Sequence, residues 1–268
     1  MEISRYIENN KISNIFIEEL KNFLNNLYSV FRFYDPYFII FYDNGNCQQN
    51  RMILSNYKEN RIKTHGEFID DSDLYIFRKI KKYYYIEIYK QFQKKDLSTV
   101  YYSEKYETDF IPEYCIKNNI FDSNDDNILN IILSVDKDLL QTCKYKNTIL
   151  YATTFKSSRT GKKQINFGVY NDYNAISYLY DKFKVGILTA KYIPLILAIS
   201  GDKADNIVGV KGFGIAKSCK LIINNNLPPV LVKSDIDQYP KIIKDNFDLI
   251  DLNYKVISFE EQMKRINF

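Results

Sequence analysis

Two aspartates three residues apart, Asp202 and Asp205, lead directly into Gly209, Gly212 and Gly214 in the run Ile199-Ser200-Gly201-Asp202-Lys203-Ala204-Asp205-Asn206-Ile207-Val208-Gly209-Val210-Lys211-Gly212-Phe213-Gly214. Carboxylates so spaced at the mouth of a helix can share a hard cation, because Mg²⁺ prefers oxygen ligands. The glycines let the backbone turn tightly and offer N–H groups to a phosphate where the next helix begins. Alone, the run would also suit an acidic loop and a glycine turn between helices.

More acids arrive at element ends. Asp43 follows the apolar stretch 37–42, Asp136 and Asp138 follow the stretch 128–135, and Glu107 and Asp109 stand before another apolar segment. Each has a plainer reading: Glu107 and Asp109 suit a first helical turn, and Asp136 suits the cap of a helix starting at Lys137. Together, seven carboxylates without matching bases would repel one another unless cations sat among them. Two Mg²⁺ ions about 4 Å apart are the usual device for activating water in phosphodiester hydrolysis.

The elements that must position these acids are legible. Ile17, Leu20, Leu24, Leu27 and Phe31 recur at helical spacing, and Asp35-Pro36 ends that helix before the apolar run 37–42. Continuous apolar strands at 37–42, 128–135 and 148–153, separated by helices, predict an α/β fold. Its mostly parallel twisted sheet is flanked by helices and gathers ligands at the strand C-terminal edge. From Tyr192 onward the strand signals stop, and helical stretches broken by Leu227-Pro228-Pro229 and Tyr239-Pro240 take over. A boundary near Val185 divides a core, 1–185, from a helical region, 186–268.

With 268 residues, 46% of them hydrophobic, the chain can bury a sizeable core. Its longest uncharged apolar run, 192–200, is too short to cross a bilayer, and Met1-Glu2-Ile3-Ser4-Arg5 forms no signal peptide. A cytoplasmic location without membrane association is expected. Cys47, Cys115, Cys143 and Cys219 lie too far apart for a zinc site and read as reduced thiols. The net charge of +4 concentrates in residues 51–95, with eleven Lys/Arg against six Asp/Glu. Aromatics interleave there (Tyr57, Tyr75, Phe77, Tyr83, Tyr84, Tyr85, Tyr89, Phe92), as on a surface that tracks phosphates and stacks unpaired bases. A solvated helix face with an aromatic core side accounts equally well for residues 78–93.

In chain order these residues resemble the structure-specific 5′-nucleases: phage ribonuclease H and 5′–3′ exonucleases, flap endonucleases, and the 5′-nuclease domain of bacterial DNA polymerase I. Tyr42-Asp43, Arg51 and Tyr57-Lys58-Glu59-Asn60-Arg61 are similar to the family's aspartate, arginine and tyrosine-lysine-x-asparagine-arginine block. Ser134-Val135-Asp136-Lys137-Asp138-Leu139-Leu140-Gln141 resembles its serine-x-aspartate-x-aspartate-leucine-leucine-glutamine signature, and residues 201–214 its helix-three-turn-helix entry. The resemblance implies a PIN-like core with a basic helical arch at about 51–100, and a two-metal phosphodiesterase. Asp43, Glu107, Asp109, Asp136, Asp138, Asp202 and Asp205 would hold two Mg²⁺ ions, for which Mn²⁺ can substitute. Lys58 and Arg61 would neutralise the scissile phosphate, and Tyr57 would stack a terminal base, worth about 1–3 kcal/mol. Arg51, Gly209, Val210, Lys211, Gly212, Gly214 and Lys217 would bind nucleic acid, with K⁺ at the glycine turn. The expected substrate is DNA with a 5′ flap, 5′ overhang or RNA primer, cut by a monomer during replication or repair. A sliding clamp or single-strand-binding protein is a conceivable partner.

Two departures stand out. The family's glutamate-alanine-aspartate-aspartate motif appears as Glu107-Thr108-Asp109-Phe110, without its final acid. Upstream, the family's first apolar strand with its metal-ligating aspartate has no counterpart, since Met1-Glu2-Ile3-Ser4-Arg5-Tyr6 looks like the following helix already under way. An upstream start codon, a gene split by an insertion, and a decayed copy that binds without cutting each account for this. The competing function is therefore a noncatalytic module for branched nucleic acid. A small ribonuclease toxin is disfavoured, because such chains lack the glycine turn and the tyrosine-lysine-x-asparagine-arginine block.

Overall fold

The apolar spacing of the N-terminal region is realised as helix α1 (Ile12–Phe31), on which Leu24, Leu27 and Phe31 share a half-buried stripe. The computed structural model describes residues 12–43, 47–59, 86, 98–103, 106–123, 125–157, 163–180 and 187–266. A short 3₁₀ turn (Arg32–Tyr34) and Asp35, left-handed at φ 49°, end α1 ahead of Pro36. The chain forms two compact units, residues 1–48 with 62–108 and residues 49–61 with 109–268.

In the first unit, β1 (Phe38–Asp43) pairs in parallel with β2 (Ser98–Ser103), so Asp43, the last residue of β1, lies opposite Ser103. Phe41 stacks on Tyr101 across the pair, with ring centroids 5.8 Å apart. After β2, Ser103 Oγ accepts from the Tyr106 N–H at 3.0 Å, and Glu107 and Thr108 are buried beyond that turn.

The second unit is built on a three-stranded sheet in which β3 (Asn130–Leu133) runs parallel to β4 (Thr148–Ser157), and β4 antiparallel to β5 (Lys163–Tyr170). The parallel pair matches the sequence expectation; the β4–β5 hairpin does not appear in it. Leu150 and Ala152 are fully buried, and the 3₁₀ helix Lys137–Lys144 buries Leu139, Leu140, Gln141, Thr142 and Cys143. Helix α2 (Gln48–Ile53), from Gln49 on, and α3 (Ile111–Lys117) and α4 (Ala175–Leu179) belong to the second unit. Phe110 is 1% exposed, so the position where the family carries a further acid is a core position here.

Helix α5 (Ile193–Ser200) is buried from Ile193 through Ile199, as expected of a helix apolar all round. Pro194 suits its first turn, and Gly201 at φ 75° ends it. Next come β6 (Gly201–Asp202), β7 (Ile207–Val208) and α6 (Ile215–Asn224), then α7 (Lys241–Asp245), α8 (Phe247–Ile257) and α9 (Phe259–Lys264). Asn253 on α8 donates to the Ala198 carbonyl at 2.9 Å and the Val208 carbonyl at 2.8 Å, fixing α5 and the β6–β7 hairpin to one helix. Gln141 joins the 3₁₀ helix to the α8–α9 corner, donating to the Ile257 carbonyl and accepting from the Phe259 N–H. Among the described residues, no helix is long and apolar enough to cross a membrane.

A buried ion cluster ties three further segments together. Lys144 Nζ sits 2.9 Å from both Glu113 Oε1 on α3 and Glu260 Oε1 on α9. Glu113 is fully buried and its Oε2 has no partner. Burial lifts its carboxyl above the ordinary 4.5 against the pull of Lys144.

Candidate metal centre

The exit of β3 explains how Asp138 reaches the site. Ser134 Oγ accepts from the Asp136 N–H at 3.1 Å, and Asp136 Oδ1 in turn accepts from the Asp138 N–H at 2.9 Å. Asp136 is thus the cap of the 3₁₀ helix, the plainer of its two sequence readings. The Tyr178 hydroxyl braces this corner by donating to the Val135 carbonyl at 3.0 Å. The tight turn projects Asp138 while Leu139 and Leu140 anchor it in the core.

Asp202 and Asp205 are placed by the close crossing of α5 and the β6–β7 hairpin. A methyl group at Gly209 would strike the Ser200 carbonyl, and one at Gly201 would strike the Gly209 backbone, so both positions require glycine. Asp202 Oδ1 accepts from the Ala204 N–H at 3.0 Å, capping the 3₁₀ turn Lys203–Asp205. Asn206, left-handed at φ 60°, closes that turn and donates to the Asn56 carbonyl at 2.8 Å.

One oxygen from each of Asp138, Asp202 and Asp205 then lies within 4.8 Å of the others. Asp202 and Asp205 are buried, at 7% and 5% exposure, and Asp138 is half-buried with its Oδ1 sealed and unpartnered. Burial first, then the Asp136 carboxylate, push Asp138 well above the usual carboxylate range. A sealed acceptor facing two further carboxylates fits a divalent cation, which would reverse that shift.

Three side chains line the triad. The Tyr57 hydroxyl donates to Asp205 Oδ2 at 3.1 Å, and Lys58 Nζ lies 3.7 Å from the same oxygen. Lys58 also has its ammonium 4.9 Å from the Tyr57 ring centroid, and its N–H donates to the Asp205 carbonyl. Its backbone is left-handed at φ 54°, unusual for a lysine and held by that bond. Arg51 Nε donates to the Tyr57 carbonyl at 3.0 Å, bracing the turn. Lys137 reaches Asp202 Oδ2 at 2.5 Å. Burial alone would lower the Lys137 ammonium, but Asp138, Asp202 and Asp136 raise it above 10.5.

The structure thus brings Asp138, Asp202, Asp205, Tyr57 and Lys58 together, with Asp136 and Arg51 as supports. Tyr57 is only 4% exposed, so it presents a hydroxyl to Asp205 and no open ring face for a base; its packing decides this. Asp109 is half-buried in the turn before α3. Asp43 and Glu107 belong to the first unit, and Arg61 lies outside the described residues. Gly209, Val210, Lys211, Gly212 and Gly214 lie in the turn into α6 and Lys217 in its first turn, with Gly212 at φ 82° and Lys211 exposed. Lys137, at a variable position of the signature, is not among the candidates the sequence offers, yet it contacts Asp202. Its place between two acids was the available signal.

No protein-family model matches the chain, and no curated protein is similar to it in sequence. Solved structures are similar in three dimensions. A bacteriophage T5 5′-exonuclease with zinc bound superposes with a TM-score of 0.60 at 17% identity, over 95% of this chain and 85% of that one. A T5 flap endonuclease complex with DNA and metal ions gives 0.58 at 16% identity, over 89% of this chain and 80% of that one. Such likeness reports architecture: the chain has the α/β fold of the T5 5′-exonuclease, with a PIN-like core.

Proposed function

We propose that this protein is a metal-dependent nuclease that hydrolyses phosphodiesters near 5′ ends, as a 5′–3′ exonuclease or flap endonuclease on DNA with a 5′ flap, 5′ overhang or RNA primer. The convergence of Asp138, Asp202 and Asp205 around a sealed, unpartnered carboxylate oxygen carries the reading. An all-carboxylate donor set suits Mg²⁺ or Mn²⁺. When bound, such ions supply an activated water and stabilise the leaving oxygen. That structures of this fold hold DNA and metal ions supports the same partners here.

The chain's own residues have separable tasks. Lys58 stands beside the triad and would neutralise a phosphate oxygen as charge develops. Tyr57 holds Asp205 in one rotamer through its hydroxyl, and Asp136 holds Asp138 through its backbone. The turn 209–214 would grip a phosphate backbone with N–H groups, Lys211 and Lys217, positioning the duplex without reading its sequence. The roles of Asp43, Glu107, Asp109 and Arg61, and a K⁺ ion at the glycine turn, rest on the family resemblance alone.

The test is cleavage of a labelled 5′-flap duplex by the chain with Mg²⁺ or with EDTA. Metal-dependent release of short 5′ products is expected, slowed at least about 100-fold in Asp138→Asn. An undiminished rate in that variant would overturn the site. Tight binding of the flap with no cleavage under any metal would leave the noncatalytic module as the function.

A further inference from the structure

We propose that Lys137 is a tethered counter-cation of the triad, seated on Asp202 in the metal-free protein and displaced when a divalent ion takes that carboxylate. This inference rests on the metal-dependent reading above.

The three carboxylates differ in what already occupies them. Asp138 Oδ1 is sealed with no partner. Asp205 Oδ2 accepts from Tyr57 and lies near Lys58 at a longer 3.7 Å. Both oxygens of Asp202 are engaged: Oδ1 by the Ala204 N–H, which is part of the capped turn, and Oδ2 by Lys137 Nζ at 2.5 Å. Each oxygen keeps a second lone pair, so what opposes a divalent cation on Asp202 is repulsion by the Lys137 ammonium already seated on Oδ2. Releasing Oδ1 would unwind the turn that carries Asp205. The Lys137 side chain is 29% exposed on a flexible stem, whereas Asp202 is 7% exposed, so the ammonium is the group that can leave.

Two consequences follow from linkage. Lys137 lowers the repulsion among carboxylates in the metal-free protein, and so stabilises that state. It also competes with the metal, so the apparent affinity falls by the fraction of molecules in which Asp202 is free. The ammonium is removed from the site by every loading event, whatever substrate is present.

The experiment measures Mn²⁺ binding to the chain by titration calorimetry, with thermal melts in EDTA and in saturating Mn²⁺. Relative to the parent chain, Lys137→Met should bind Mn²⁺ about three- to tenfold more tightly. It should also melt about 2–4 °C lower in EDTA, with the gap closing in saturating Mn²⁺. Lys137→Arg keeps a cation and should remain near the parent affinity, and Lys137→Gln substitutes if the methionine variant does not fold. Equal or weaker Mn²⁺ binding by both neutral variants, while the parent binds, overturns the role of Lys137 and leaves the metal site standing. Absence of Mn²⁺ binding in parent and variants alike overturns the metal reading itself, and this inference with it.

Discussion

Lys58 brings a positive charge beside the carboxylates of the candidate metal centre, and does so from a left-handed backbone that costs on the order of 1–3 kcal/mol for a residue other than glycine. Such an arrangement suits a charge needed in the transition state more than one needed for docking. Lys58→Ala should therefore slow single-turnover cleavage about 100-fold while changing DNA affinity only a few fold. Equal losses in both would assign Lys58 to binding. Tyr57 teaches a different lesson at the same scale. Its identity beside Lys58 was readable as part of a motif, but whether its ring or its hydroxyl faces the site was not. Burial of the ring to 4% exposure decided that.

At the scale of elements, the close crossing of α5 with the β6–β7 hairpin sets where Asp202 and Asp205 stand. A methyl at Gly209 meets backbone that cannot move away, so Gly209→Ala should destabilise the protein by about 1–3 kcal/mol in urea unfolding. At Gly212 there is open space and only the positive φ to oppose a side chain, so Gly212→Ala should cost less. The cluster of Glu113, Lys144 and Glu260 makes a pH prediction. Glu113 titrates above its unfolded value, so its stabilising contribution is full below about pH 4.5 and is lost as pH rises through its folded pKa. Glu260 runs the other way: burial opposes it, but Lys144 holds it below 4.5, so its contribution is present above that value and fades on acidification. Glu113→Gln should therefore gain stability over the parent chain as pH rises from 4 to 7. A difference that stays flat across that range in denaturant titrations would show that burial does not raise the Glu113 carboxyl above its unfolded value.

At the scale of the whole molecule, a net charge of only +4 makes binding to nucleic acid depend on where the cations lie. Lys211 and Lys217 at the glycine turn should each account for about one phosphate contact, so their alanine variants should flatten the plot of log affinity against log salt by about one unit apiece. An unchanged slope in both would remove the turn from the interface. The sequence by itself determined the α/β alternation, the acids at element ends and the glycine turn, because apolar periodicity and the conformational demands of glycine are local properties. It signals the β4–β5 hairpin only weakly: the Gly161-containing run 158–162 suits a hairpin loop, but Thr153, Thr154 and Lys156 interrupt the apolar run of β4. It suggested seven metal ligands, yet only folding shows that Asp138, Asp202 and Asp205 meet within 4.8 Å, that Asp136 uses an oxygen in a backbone cap, and that Phe110 is a core residue. Lys137 marks the limit most clearly: its partner Asp202 is 65 residues away in sequence, and only the tertiary structure, by bringing the exit of β3 to the β6–β7 hairpin, puts an ammonium on that carboxylate.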